Sequence, residues 1–131
     1  MDFQCQLMVT GIDEALARLD GLEARIRTNV VAALEWFGQV TTEEMVQTHP
    51  FRNITGRLER SIGYTVEQWS AGKVVANIFA TAPYAQAVEE GTTSSRPYPF
   101  FWPVFYKYLP ELQERLQAAV DEAIDQYAAG G

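Results

Sequence analysis

Residues 3–9 alternate between apolar and polar character, with Phe3, Cys5, Leu7 and Val9 on one side and Gln4, Gln6 and Met8 on the other. A period of two puts successive side chains on opposite faces of an extended chain and predicts a half-buried strand. Thr10-Gly11 breaks the alternation. From Ile12 the apolar positions step by three or four through Leu16, Leu19, Leu22, Ile26, Val30, Ala33, Phe37 and Val40, the stripe of a helix face. The pattern predicts a helix over about residues 13–48, roughly 50 Å long at ~1.5 Å per residue. Such a helix either protrudes or bends at Gly21 or Gly38, where glycine costs about 1 kcal/mol relative to alanine. His49-Pro50 stops it, because the residue before proline avoids the α region and proline has no N–H to donate.

In the middle of the chain, Thr55 is placed to cap a short helical turn carrying Leu58 and Ile62. Tyr64, Val66 and Gln68, then Val74, Ala76, Ile78 and Ala80, alternate on either side of Ser70-Ala71-Gly72, which predicts a hairpin. Pro83 opens a short helix from Tyr84 to Glu90, closed by Gly91 where a positive φ is cheap. The segment GTTSSRPYP (91–99) is a polar loop with two prolines, expected to be mobile. A last helix is predicted from about Pro110 to Tyr127 on the spacing of Leu112, Leu116, Ala119, Val120, Ala123, Ile124 and Tyr127, with residues 128–131 fraying. These elements give an α+β fold: a small antiparallel sheet, made of the N-terminal strand and the central hairpin, packed with a long N-terminal helix and a C-terminal helix.

Composition narrows the function classes. At 131 residues the chain is the size of one ordinary domain, and a single domain over residues 1–131 is expected. The apolar fraction of 47% is too rich for a disordered chain. The net charge of −7 argues against phosphate backbones and anionic membranes as partners over most of the surface. One stretch differs: residues 49–82 carry Arg52, Arg57, Arg60 and Lys73 against Glu59 and Glu67, and these basic residues are read as sitting around one loop. The single cysteine, Cys5, forms no internal disulfide and makes no zinc site with the single histidine, His49, at any usual spacing. The first eleven residues do not read as a signal peptide, and no apolar run is long enough for a membrane span. Folding in a cytoplasm is the corresponding expectation.

Little catalytic chemistry is legible. Glu89 and Glu90 are neighbours in sequence, and neighbours on a helix point about 100° apart, which does not suit a carboxylate pair acting on one substrate. A solvated helix end, or Glu89 paired with Arg96 or Arg57, is the plainer reading. Ser94-Ser95 has no histidine near it in sequence, and phosphate-binding glycine loops and Asp clusters are missing. The aromatic run stands out, because Phe100, Phe101, Trp102, Phe105, Tyr106 and Tyr108 crowd into positions 100–108. Helical spacing from Phe101 puts Phe105 and Tyr108 on one face and leaves Trp102 and Tyr106 on another. Exposed aromatic residues usually mark a protein interface.

TGRLERSI (55–62), then a hairpin, then PYAQAVEEGTTSSRPYPFFWP (83–103), then a long C-terminal helix, resembles the tailed-phage family of head-tail joining and tail-completion proteins, which includes neck and minor tail components. The similarity covers about residues 10–128. It places Thr55, Gly56, Arg57, Leu58 and Ser61 in a first motif. Tyr84, Ala85, Val88, Glu89, Gly91, Thr92, Arg96, Pro97, Pro99 and Phe100 fall in a second. What the resemblance implies is a non-enzymatic virion structural protein with no cofactor and no small-molecule substrate. It would assemble in the bacterial host cytoplasm into a ring at the phage neck, of six subunits if tail symmetry applies. Its partners would be other copies of itself, the head connector and the tail tube, with passing DNA in the lumen. The interface candidates are Arg57, Tyr84, Glu89, Gly91, Arg96, Pro97, Pro99, Phe100 and Trp102. Three alternatives stay open: a minor tail component or assembly factor elsewhere in the tail, a small hydrolase using Glu89, and a nucleic-acid contact through Arg52, Arg57, Arg60 and Lys73.

Overall fold

The computed structural model describes residues 3–10, 22–47, 57–70, 73–93 and 96–129. The predicted first strand is β1 (Phe3–Val9). A 26-residue helix, α1 (Leu22–Gln47), follows, about 39 Å long at ~1.5 Å per residue. The first part of the predicted long helix, residues 13–21, lies outside the described residues, as do Thr55 with its proposed cap, Arg52 and His49-Pro50. A short helix α2 (Arg57–Ser61) leads directly into β2 (Ile62–Ser70), and β3 (Lys73–Ala80) completes the hairpin. The short α3 (Ala85–Glu90) and the 27-residue α4 (Trp102–Ala128) end the chain.

The sheet has the order β1-β3-β2, antiparallel throughout. Register decides which side chains share a face. Cys5 pairs with Ile78, Leu7 with Ala76 and Val9 with Val74, while Ile62, Tyr64 and Val66 sit opposite Ala80, Ile78 and Ala76. The alternation read from the sequence therefore converges on one apolar face, and α1 lies against it. Central position matters: Val74, Ala76, Ile78 and Ala80 of β3 are fully buried, whereas their neighbours on the two edge strands are half-buried.

The two long helices do different jobs. α1 is the middle layer, with the sheet on one side and α4 running antiparallel along the other. Leu22, Ile26, Val30, Leu34, Phe37 and Met45 are its buried positions, and Thr41 and Thr42 are buried too, their hydroxyls donating to the carbonyls of Phe37 and Gly38 at 2.7 Å. Ala33 faces a stretch where Ala119 and Ala123 are also buried, so small side chains line the helix contact, and Asn29 Nδ2 donates to the Ala119 carbonyl at 3.2 Å. α1 continues as helix through Gly38, where a bend was one expectation. The glycine serves another purpose, since the Tyr64 ring of β2 lies directly over it.

α4 starts earlier than its sequence pattern indicates. It begins at Trp102, with Pro103 in the first turn and Pro110 inside the helix. Pro103 is the proline that suits a helix start, where its missing N–H costs nothing. Pro110 removes the bond to the Tyr106 carbonyl, but both residues are on the exposed side of α4, so that carbonyl is open to solvent. The opposite face buries Phe105 and Leu112, and this burial outweighs the proline penalty of about 3 kcal/mol.

Glu44 of α1 ties the two helices together. Lys107 Nζ donates to its two carboxylate oxygens at 2.8 and 3.0 Å, and the Tyr108 hydroxyl donates to Oε1 at 2.7 Å. The Lys107 hydrogen bond, with a smaller part from Tyr108, holds the Glu44 carboxyl below the usual carboxylate range. The same contact raises Lys107 and Tyr108 above their ordinary values. A depressed carboxylate contributes stability above its unfolded pKa and loses it as pH falls through the folded value, while raised cations and phenols contribute below theirs and lose it in alkali. The contribution is therefore full at neutral pH and falls away at both ends. In urea titrations between pH 3 and 7, Glu44→Gln is expected to flatten the acid limb slightly, the effect being small because its partner Lys107 is largely solvated. An acid limb identical to that of the wild type would contradict this.

Candidate assembly interface

The second sequence motif forms a closed structural unit. α3 ends at Gly91, whose φ of 81° and ψ of 171° fall in a region open essentially only to glycine. The chain thereby leaves α3 sharply, in a conformation more extended than the left-handed closure expected from sequence. It then returns: the Tyr98 N–H donates to the Val88 carbonyl at 2.8 Å. Next, Glu89 accepts at Oε1 from the backbone N–H groups of Phe100 and Phe101, both at 2.8 Å, and at Oε2 from Trp102 N–H at 3.2 Å.

The Phe101 and Trp102 N–H groups belong to the start of α4, which has no intrahelical acceptor for them, while Phe100 precedes the cap position, where Phe101 makes no side-chain cap of its own. A carboxylate from another element supplies the cap, and its charge is favourable at the positive end of a 27-residue helix dipole. Glu89 is only 5% exposed. As a candidate general acid or base it has both oxygens engaged by backbone donors, and as an interface candidate it acts within the chain. Phe100, 1% exposed, is likewise part of the core rather than of the surface.

The aromatic run divides as the helical spacing indicates. Phe100, Phe101 and Phe105 are buried, with Phe37 meeting Phe105 edge-on at 5.4 Å. Trp102 is half-buried, edge-on to Phe101 and Phe105 and stacked on Tyr106 at 5.8 Å, and Tyr106 is 61% exposed. A continuous aromatic path thus runs from the core to a surface ring. A second exposed-side group involves Trp36, with Arg115 Cζ 3.8 Å above its ring and Tyr108 edge-on at 6.3 Å.

Of the remaining candidates, Arg96, Pro97 and Pro99 are exposed on the returning limb of the loop. Arg96 Nε donates to the Tyr98 hydroxyl at 3.0 Å, and its guanidinium lies 5.0 Å from that ring's centre. Ser94 and Ser95 lie outside the described residues, and the described limb of this segment is anchored rather than loose. Tyr84 is exposed just before α3. Arg57 opens α2, which lies beside the approach to α3, since the Thr81 N–H donates to the Ser61 carbonyl at 3.1 Å. The two motifs are thus neighbours in space. The described basic residues do not all gather: Arg57 and Arg60 lie in α2, just before the start of β2, whereas Lys73 lies at the far end of the hairpin, about 25 Å from that start at ~3.3 Å per residue. The reading of one basic loop is corrected accordingly. Among the described residues no three His, Cys, Asp or Glu side chains converge as metal ligands, and no helix is long and apolar enough to cross a membrane.

Sequence reasoning missed Tyr98, whose N–H closes the loop, and Glu44, whose partners lie more than sixty positions away. Neither carries a local signal.

The model of the phage family described as "Bacteriophage HK97-gp10, putative tail-component" matches residues 13–91. The chain belongs to that family. Membership in the HK97-gp10-like family makes it a phage tail-related structural component, and such a component is a part of the virion. The matched span runs through α1, the hairpin and α3 and ends at Gly91, so Glu89 lies inside it while the helix start that Glu89 caps lies beyond it. No curated protein and no solved structure matches the chain.

Proposed function

We propose that this HK97-gp10-like protein acts as a single domain over residues 1–131 that forms a ring at the phage neck, joining head to tail or completing the tail tube. The observation that carries this reading is the anchored loop after α3. The returning limb is held to α3 by hydrogen bonds to Val88 and Glu89, so that Arg96, Pro97 and Pro99 are exposed on an anchored stretch that leads directly into Trp102 and Tyr106. A limb anchored before binding loses little further entropy on association, which favours a structural contact. Its partners in this reading are a neighbouring copy, the head connector and the tail tube. A minor tail position elsewhere in the virion is the second reading, and the family match accommodates it equally.

Light scattering over a concentration series, followed by negative-stain imaging of the same sample and of assembled particles, tests the ring directly. Arg96→Glu reverses charge at an exposed position and is expected to leave the protein folded while lowering the yield of infectious particles at least tenfold in complementation. Wild-type yield would count against a role for the loop in assembly.

A further inference from the structure

We infer that neighbouring copies of this chain join edge to edge through their sheets, with β2 of one copy lying parallel against β1 of the next. The inference rests on the ring reading above and names the surfaces that make the ring. Among the described strands β1 and β2 are the two outer ones, and both run antiparallel to β3, so they run parallel to each other. Repeating the sheet head to tail brings these two different edges together, the kind of contact that closes into a ring when the rotation per subunit allows it.

Three observations favour this pairing. First, β1 reads FQCQLMV, with no charge, proline or glycine in seven residues. Solitary edge strands are usually blunted by such residues, and β1 carries none of them. Second, the inward-facing side chains of both edge strands, Cys5, Leu7 and Val9 on one and Ile62, Tyr64 and Val66 on the other, are half-buried, while those of β3 are fully buried. A neighbouring strand at each edge would complete their burial.

Third, the outer face of the sheet carries a directional row of hydrogen bonds. Gln6 Nε2 donates to Asn77 Oδ1 at 3.0 Å, and Asn77 Nδ2 donates to Thr65 Oγ1 at 3.4 Å. Both donate from the β1 side towards the β2 side. The row therefore ends in an acceptor, Gln6 Oε1, at one edge and a hydroxyl donor, Thr65, at the other. Gln6 and Thr65 are each level with Asn77 in the register, so parallel pairing of β2 with the next β1 sets Thr65 beside Gln6 and continues the row. Twofold pairing of β1 with β1 would not bring this donor and acceptor together.

The test is a cysteine pair, Gln6→Cys with Thr65→Cys, in full-length protein carrying Cys5→Ser. Both positions are exposed, and a thermal melt checks that folding is retained. Within one chain they are two strand spacings apart, about 9.6 Å, too far for a disulfide. Mild oxidation of assembled particles is expected to give a ladder of covalent oligomers on a non-reducing gel, lost on reduction and missing from either single cysteine variant. Dimers from Gln6→Cys alone would overturn the pairing in favour of twofold contact. Particles that show a ring by imaging but give no ladder would overturn the edge pairing and leave the ring standing. One copy per particle would remove both. As an independent check, Thr65→Val keeps a strand-forming side chain and removes the donor, and it is expected to weaken association about fivefold per contact. Unchanged association would also overturn the inference.

Discussion

Glu89→Ala is expected to destabilise the protein by about 3 kcal/mol, roughly a 10 °C fall in melting temperature for a chain of this size. The carboxylate accepts three backbone N–H bonds at the start of α4, two at 2.8 Å and one at 3.2 Å, and the site is almost closed to water. Alanine leaves those donors without an acceptor where water cannot replace it, and removes a negative charge from the positive end of the helix. Glu89→Gln keeps one acceptor oxygen but turns an amide NH2 towards at least one of the N–H groups, so about half the loss is expected. The order wild type, Gln, Ala in urea midpoints is the diagnostic result. Because the cap also fixes the returning limb of the 91–99 loop, both variants should lower particle yield beyond what their stability loss explains. Wild-type melting for Glu89→Ala would contradict the capping role, and a turnover lost in Glu89→Gln with unchanged stability would revive a hydrolase.

Gly38→Ala is expected to cost about 2 kcal/mol, although alanine is the better helix former by about 1 kcal/mol. A Cβ on Gly38 would fall 2.5 Å from Tyr64 Cγ and 2.9 Å from Cε2. The clash is with the base of the ring rather than the tip of a flexible side chain, so relief requires Tyr64 to leave its rotamer or α1 to move off the sheet. A double-mutant cycle separates the two terms. With Tyr64→Val the space opens, and adding Gly38→Ala should then stabilise the protein by up to about 1 kcal/mol, reversing its sign. If Gly38→Ala is destabilising to the same extent in both backgrounds, the ring is not the cause.

Both cases show where sequence reading reached and where it stopped. The alternation in residues 3–9 and on either side of Ser70-Ala71-Gly72 located the three strands found among the described residues, because a period of two is imposed by the backbone itself. The three-to-four spacing located the two long helices for the same kind of reason. The N-terminal limit of α4 was misjudged because Pro110 has the local signature of a helix start. Only the packing of Phe101 and Phe105 against the core shows that the helix is already under way there. Gly38 was legible as an oddity within a helix, but its use depends on a ring twenty-six positions away.

The interface candidates divide along the same line. Arg96, Pro97 and Pro99 are surface residues as a polar loop implies, since nothing long-range is needed to keep such a segment on the outside. Glu89 and Phe100 carry no local mark that distinguishes a buried cap from an exposed charge, or a core ring from a surface one. The sequence by itself determined the elements, their order and the membership of the chain in a phage tail-component family, because periodicity and turn chemistry act over a few residues and the family's pattern is written along the chain. Only the tertiary structure decided that Glu89 caps α4, that Glu44 joins Lys107 and Tyr108, and that Gln6, Asn77 and Thr65 form one row. These depend on register and helix packing, which bring together residues that share no spacing along the chain.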